Sequence, residues 1–163
     1  MTSNTPKRAS ESATEMVQVV LPNDANPLGY ILGGTVMHLI DIAGAIACHR
    51  HTRTLLVTAA VDDLQFLHSI KVGDLIILKA RVTCVFTTSL EVQVDVFSEE
   101  TLTGQRRLTS RAYLTFVAVD QGGGRIPVPP LIIETDEERR TCEEAHQRRA
   151  ARLKRKERAT APS

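Results

Sequence analysis

The chain has 163 residues, 20 Lys and Arg against 19 Asp and Glu, and a net charge of +1. That length is enough for one domain with a hydrophobic core that needs no disulfides, and near-neutrality argues against a whole-domain nucleic-acid binder. No apolar run approaches the ~20 residues of a membrane span and the N-terminus reads without an apolar leader, so a cytoplasmic location is expected.

Residues 1–14 are polar and read as a disordered lead-in. Met16 to Leu21 is a short strand ended by Pro22, and a polar loop with three glycines, Gly29, Gly33 and Gly34, follows. From Thr35 to about His51 the residues are apolar around nearly the whole circumference, so this helix should be enclosed by the rest of the domain. Gly33 and Gly34 allow a positive φ just before its first turn, Thr35 can cap it, and His49, Arg50 and His51 suit the negative end of its dipole. Leu55 to Phe66 and Leu75 to Phe86 carry β-branched residues without a breaker, with a turn around Gly73 between them. Leu90 to Ser98 alternates Leu90, Val92, Val94 and Val96 with Glu91, Gln93 and Asp95, the period of a half-buried strand. Gln105 to Asp120 is a last long strand, ended by Gly122 to Gly124 and by Pro127, Pro129 and Pro130.

One enclosed helix and five strands predict an α+β fold in which an antiparallel sheet curls around the helix, over residues 15–133. The outward set, including Lys79, Arg81, Thr83, Glu91, Gln93, Asp95, Thr109, Arg111 and Tyr113, suits solvent or a wet subunit contact. Hairpin geometry predicts Asp95 between Arg81 and Arg111 on neighbouring strands. Open sheet edges invite pairing into a homodimer. Cys48, Cys84 and Cys142 lack metal-ligand spacing, and two lie in apolar surroundings, so reduced structural thiols are expected and no metal site. Residues 134–163 are acidic at first and then basic, with Glu144 and Arg148 as an i, i+4 pair. The preferred reading there is a solvated helical tail, over nucleic-acid or membrane binding by its Arg-rich end.

The enclosed helix carries one carboxylate, Asp41, with His38 a turn before it. A buried acid that merely anchors a loop would fit the helix equally well. The preceding loop favours chemistry: Asn26 offers an amide that donates and accepts, Gly33 and Gly34 offer backbone N–H groups at a helix N-terminus, and a desolvated Asp41 suits a general base. Those are the parts of an acyl-transfer site. No Gly-x-Ser-x-Gly elbow, zinc-binding His-Glu-x-x-His or phosphate-cradling loop is present.

The series Pro22-x-Asp24-x-Asn26-x-x-Gly29-x-x-x-Gly33-Gly34-x-x-Met37-x-x-x-Asp41, with Val61-Asp62, Phe66, Val72-Gly73-Asp74 and Thr88-Ser89, resembles the cytosolic acyl-coenzyme A hydrolases of the hot-dog fold. The resemblance runs from about Val17 to Pro130 and implies a five-stranded antiparallel sheet around one long central helix. It also implies hydrolysis of acyl-CoA to a fatty acid and CoA, with CoA as part of the substrate and no separate cofactor. By the same resemblance Asn26 and Asp41 meet across a subunit boundary, Thr88 and Ser89 contact the CoA moiety, and the assembly is a dimer or a hexamer made of three dimers. Leu32 stands where the family usually has an aromatic residue or His, and the charged tail lies outside the resemblance. A non-catalytic acyl-CoA binding module is the rival reading, against which the pair Asn26 and Asp41 counts. A dehydratase on the same fold is disfavoured because the loop lacks a His.

Overall fold

The computed structural model describes residues 4–162. In chain order the elements are β1 (Lys7–Arg8), β2 (Thr14–Val19), α1 (Gly33–Thr52), β3 (Leu55–Phe66), β4 (Leu75–Val85), β5 (Ser89–Glu99), β6 (Arg106–Val119), β7 (Leu131–Ile132) and α2 (Asp136–Thr160). Five strands form one antiparallel sheet curled around α1, as the sequence pattern predicts, and their order is β2-β4-β5-β6-β3. No helix among the described residues is long and apolar enough to cross a membrane.

Helix α1 is enclosed because its apolar residues run around it and its small residues let the sheet approach. Ala43 and Ala47 are completely buried. A Cβ built on Gly44 would lie 3.1 Å from Val92 Cγ1 and 3.3 Å from Phe116 Cε2, so the middle strands β5 and β6 press directly on the helix backbone. The inward row Leu90, Val92, Val94 and Val96 completes this contact, each residue fully buried.

The start of α1 differs from expectation. The helix begins at Gly33, with Leu32 at the N-cap and no side-chain cap, and neither Gly33 nor Gly34 has a positive φ. The extra helical residues move Asp41 to eight residues beyond the first, about 12 Å along the axis instead of near the second turn. At the other end Arg53 adopts φ 54° and its N–H closes on His49 at 2.7 Å. His51 is fully buried there and its Nε2 bonds the Pro129 carbonyl at 2.8 Å, tying the proline-rich loop to the helix. Burial pushes the His51 imidazole below its ordinary value, against the opposing pull of that hydrogen bond.

The N-terminal segment is more ordered than its composition suggests. Residues 1–3 lie outside the described residues, but Lys7–Arg8 pairs in parallel with Leu131–Ile132, and Ser12 and Thr14 are buried. The stretch gains order from a partner distant in sequence, which composition cannot reveal.

Strand register agrees with expectation between β5 and β6, where Asp95 faces Arg111 and accepts bonds of 2.6 and 3.0 Å from its guanidinium. Between β4 and β5 the expected Arg81–Asp95 pairing is not found: Lys79 stands opposite Asp95 and Arg81 opposite Gln93, two residues from expectation, of which a bulge between Val82 and Cys84 accounts for one.

The outer face of the sheet is the largest correction. The charged tail forms α2, whose Thr135 cap accepts the Glu138 N–H, and it packs on the sheet instead of projecting into solvent. Arg148 reaches past its helical neighbour Glu144 to bond Glu91 at 2.8 and 2.9 Å, lying 3.6 Å over the Tyr113 ring. Arg152 bonds Asp62 at 2.8 Å. Glu91, Gln93, Thr83 and Thr109, expected to face solvent, are buried. Cys84 and Cys142, expected to be free thiols, are joined in a disulfide between β4 and α2, while Cys48 stays free in the core with its thiol pushed upward by burial. They lie 58 residues apart, so nothing local in the sequence announces the pair.

Two outcomes are expected from this packing. Gly44→Leu should destabilise the protein by about 1–3 kcal/mol through overpacking against Val92 and Phe116, read from chemical unfolding midpoints. Because folding lowers the affinity of His51 for a proton, the unfolded chain binds more protons below the ordinary His value; stability is therefore full above ~6.5 and falls as pH drops through it. Tm measured from pH 7.5 to 5.5 should decline, and His51→Gln should flatten that decline.

Candidate active site

The loop before α1 is built around Asn26. Its side-chain Oδ1 accepts the N–H groups of Leu28 at 3.0 Å and Tyr30 at 3.2 Å, and its backbone N–H bonds the Tyr30 carbonyl at 2.8 Å. Gly29, at φ 83°, makes the tight reversal possible. Asp24 fastens the loop at both ends, its Oδ2 accepting Leu21 N–H and its carbonyl accepting Leu32 N–H. The carbonyl end of Asn26 is therefore spent on the turn, and its NH2 end is the part left to act on a ligand.

The first bond inside α1 runs from Val36 N–H to the Leu32 carbonyl at 3.1 Å. The N–H groups of Gly33 and Gly34 thus have no acceptor within the helix. Gly33 is shielded by the Phe66 ring, 3.4 Å from where a Cβ would sit, whereas nothing lies within 4 Å of that position on Gly34.

Asp41 is half-buried in this chain and not fully buried as its apolar helix suggests. Thr58 of β3 donates its hydroxyl to Asp41 Oδ1 at 2.8 Å. Around this pair lies a cavity of about 350 Å³, walled by Met37, Ile40, Val61, Leu64 and Leu114, with Gly34, His38 and Asp41 on its α1 side. Gly34 and Asp41 are seven residues apart, so they share one helix face about 10 Å apart, and the Asp41 side chain leans back toward the N-terminus. A carbonyl placed between them would have amide donors on one side and a carboxylate on the other.

Asn26 does not line this cavity within the chain, nor do Thr88 and Ser89. Thr88 accepts the Ala118 N–H through its carbonyl in the β4–β5 turn, and Ser89 opens β5 opposite Val117, which in turn faces Val57. Ser89 therefore lies two strand spacings, about 10 Å, from β3 beside Thr58. Sequence reasoning did not single out Thr58: a Thr in a strand carries no signal until packing sets it against the helix.

Among the described residues edge strand β3 has no strand partner on its outer side, and Leu55, Val57, Val61 and Phe66 are about half exposed. Thr58, Val61 and Leu64 of the same strand line the Asp41 cavity.

A model of the thioesterase superfamily matches residues 28–105. An uncharacterized acyl-CoA thioester hydrolase of Bacillus subtilis is 40% identical over 146 residues, which span 90% of this chain and 85% of that protein. The human cytosolic acyl coenzyme A thioester hydrolase is 33% identical over 141 residues, but this chain spans only 37% of its length. Among solved structures, an apo-hexameric acyl-CoA thioesterase superposes with a TM-score of 0.88 at 41% identity, covering 93% of this chain and 97% of the other. The acyl-CoA hydrolase of Staphylococcus aureus, solved with butyryl coenzyme A and coenzyme A, gives 0.86 at 35% identity, covering 94% and 93%. With the antiparallel sheet wrapped on α1, the matches to the Bacillus subtilis protein and to the solved acyl-CoA thioesterases across nearly the full length show that the chain belongs to the acyl-CoA thioester hydrolases of the hot-dog thioesterase superfamily.

Proposed function

We propose that this protein hydrolyses the thioester of acyl-CoA, releasing a fatty acid and CoA, with Asp41 as the reacting carboxylate. The observation that carries the reading is the Thr58–Asp41 hydrogen bond at the wall of an apolar cavity that begins at an uncapped helix N-terminus. Thr58 holds one carboxylate oxygen, which leaves the other to take a proton from water or to attack the carbonyl itself. The N–H groups of Gly33 and Gly34 stabilise the oxyanion as it forms, and the C–S bond breaks to release the CoA thiolate; on the water route the thiolate takes up the proton that Asp41 accepted, and on the direct route a water then cleaves the Asp41–acyl anhydride, releasing the fatty acid and Asp41 and supplying that proton. Met37, Val61, Leu64 and Leu114 receive the acyl chain, and Thr88 with Ser89 contacts the CoA moiety. The reaction uses no metal or separate cofactor.

The Staphylococcus aureus relative has been solved with one Asn, one Asp and one Thr replaced by Ala, separated by 15 and 17 residues. Asn26, Asp41 and Thr58 have the same two separations here. This supports a shared role for the three. Asn26 lies outside the Asp41 cavity of its own chain, so it serves the site of a partner subunit, with β3 edges pairing to form the dimer. Hexameric relatives support three such dimers, and the cytosolic relative supports a place in the cytoplasm.

Asp41→Asn should lower kcat for acyl-CoA hydrolysis by at least ~10², leaving the fold and CoA binding in place, because an amide keeps the volume but takes no proton. Turnover within a few fold of the parent would remove Asp41 from the chemistry. Subunit sharing is tested separately by mixing Asn26→Ala with Asp41→Asn protein: hybrid dimers contain one site free of both changes, so activity should return on exchange. Continued inactivity in a mixture shown by mass spectrometry to contain hybrids would place both residues in one chain's site.

A further inference from the structure

We infer that the Cys84–Cys142 disulfide, with His146 beside it, is a redox modification site whose thiol–disulfide exchange fixes or frees α2 on the outer face of the sheet. The two sulfurs and a ring nitrogen of His146 lie within 4.8 Å of one another, brought together from β4 and from two positions one turn apart on α2. Exposure is graded: Cys84 is buried, Cys142 half-buried and His146 exposed. An incoming thiolate therefore meets the Cys142 sulfur first.

Attack there forms a mixed disulfide, breaks the Cys84–Cys142 bond and expels Cys84 as a thiolate, which takes a proton with the His146 ring placed to relay it. The second thiol of a dithiol reductant then attacks the reductant's own sulfur in the mixed disulfide. Cys142 is released as a thiol and the reductant leaves as a cyclic disulfide, so two electrons and two protons have passed to the protein.

What the bond controls follows from how α2 is held. The helix has 25 residues and buries only Ala145, so little apolar contact retains it. Its other anchors are the Phe86 ring, which meets the His146 ring edge-on at 5.0 Å and lies under Arg149, and the charged contacts of Arg148 to Glu91 of β5 and across Tyr113 of β6, then of Arg152 to Asp62 of β3. With Cys142 bonded to Cys84 of β4, the helix spans four strands from a covalent contact to an ionic one. Both ends meet the sheet at bulges, between Val82 and Cys84 on β4 and between Asp62 and Gln65 on β3. The β3 segment clamped from outside by Asp62 presents Thr58, Val61 and Leu64 to the Asp41 cavity. Opening the disulfide leaves the helix on its ion pairs and ring contacts, without the covalent tie to β4, and loosens the outer support of that segment.

The test uses the full chain, oxidised and then treated with dithiothreitol, and reads thiol alkylation and amide hydrogen exchange, neither of which depends on hydrolysis. Native alkylation should be absent before reduction and should modify Cys84 and Cys142, but not the buried Cys48, afterwards. Exchange across residues 143–160 should rise on the order of tenfold or more, with a smaller rise over 58–64 and none over 89–99. Oxidised dithiothreitol should reverse all three changes. Tm should fall by roughly 5–15 °C on reduction, as expected for opening a long loop in a chain of this size. A Cys84→Ser, Cys142→Ser double variant should show the reduced pattern without dithiothreitol and ignore its addition. If that variant fails to fold, the parent chain with and without dithiothreitol decides the matter. Unchanged α2 protection after both thiols are labelled would overturn the proposal, as would failure of the oxidised chain to form the disulfide. Stoichiometric Zn²⁺ uptake by the reduced chain, abolished in His146→Ala, would likewise overturn it and make the cluster a metal centre.

Discussion

The close approach of α1 to the middle of the sheet is the constraint on which the rest of this structure depends. At Gly44 there is room for a hydrogen and little more, with Val92 and Phe116 directly against the backbone. Ala43 and Ala47 continue the same contact. Because the helix can seat only on this smooth stripe, its rotation is fixed, and the face carrying Gly34, His38 and Asp41 turns toward β3. A bulky residue at position 44 would lift the helix and move Asp41 away from Thr58.

The outer face follows a different physics. The sheet presents charges there, and α2 covers them with arginines, so packing is achieved mostly by ion pairs and a cation–π contact instead of apolar area. Glu91 is the sensitive point. Its carboxylate is 1% exposed and has three donors, from Thr83 and the Arg148 guanidinium. Arrangements of this kind contribute modestly while intact and are costly when one partner is removed, since a charge is then left buried and unpaired. Sheet and helix are in that sense committed to each other.

The chain by itself is an incomplete catalyst in the proposed scheme. Asp41 and Thr58 face a cavity lined in part by edge strand β3, and Asn26 stands elsewhere with only the NH2 end of its amide to offer. The same exposed strand that leaves a folding liability in the monomer is a natural place for a second chain to complete the site.

Much of this was determined by the sequence alone. Strict alternation over residues 90–98 set the faces of β5, an all-round apolar stretch set the enclosure of α1, and the spaced positions from Pro22 to Asp41 pointed to the thioester hydrolases. Those features are local, so a reading of period and spacing reaches them. Tertiary structure decided the remainder, because each case depends on residues far apart in the chain. Thr58 gained a role only when β3 was laid beside α1. Arg148 chose Glu91, 57 positions away, over its own helical neighbour, since the buried carboxylate offered a drier and stronger partner. A bulge on β4, invisible in the pattern of apolar residues, shifted the ladder that sets Lys79 opposite Asp95. The Cys84–Cys142 bond likewise required α2 to settle on β4 before two cysteines 58 residues apart could meet.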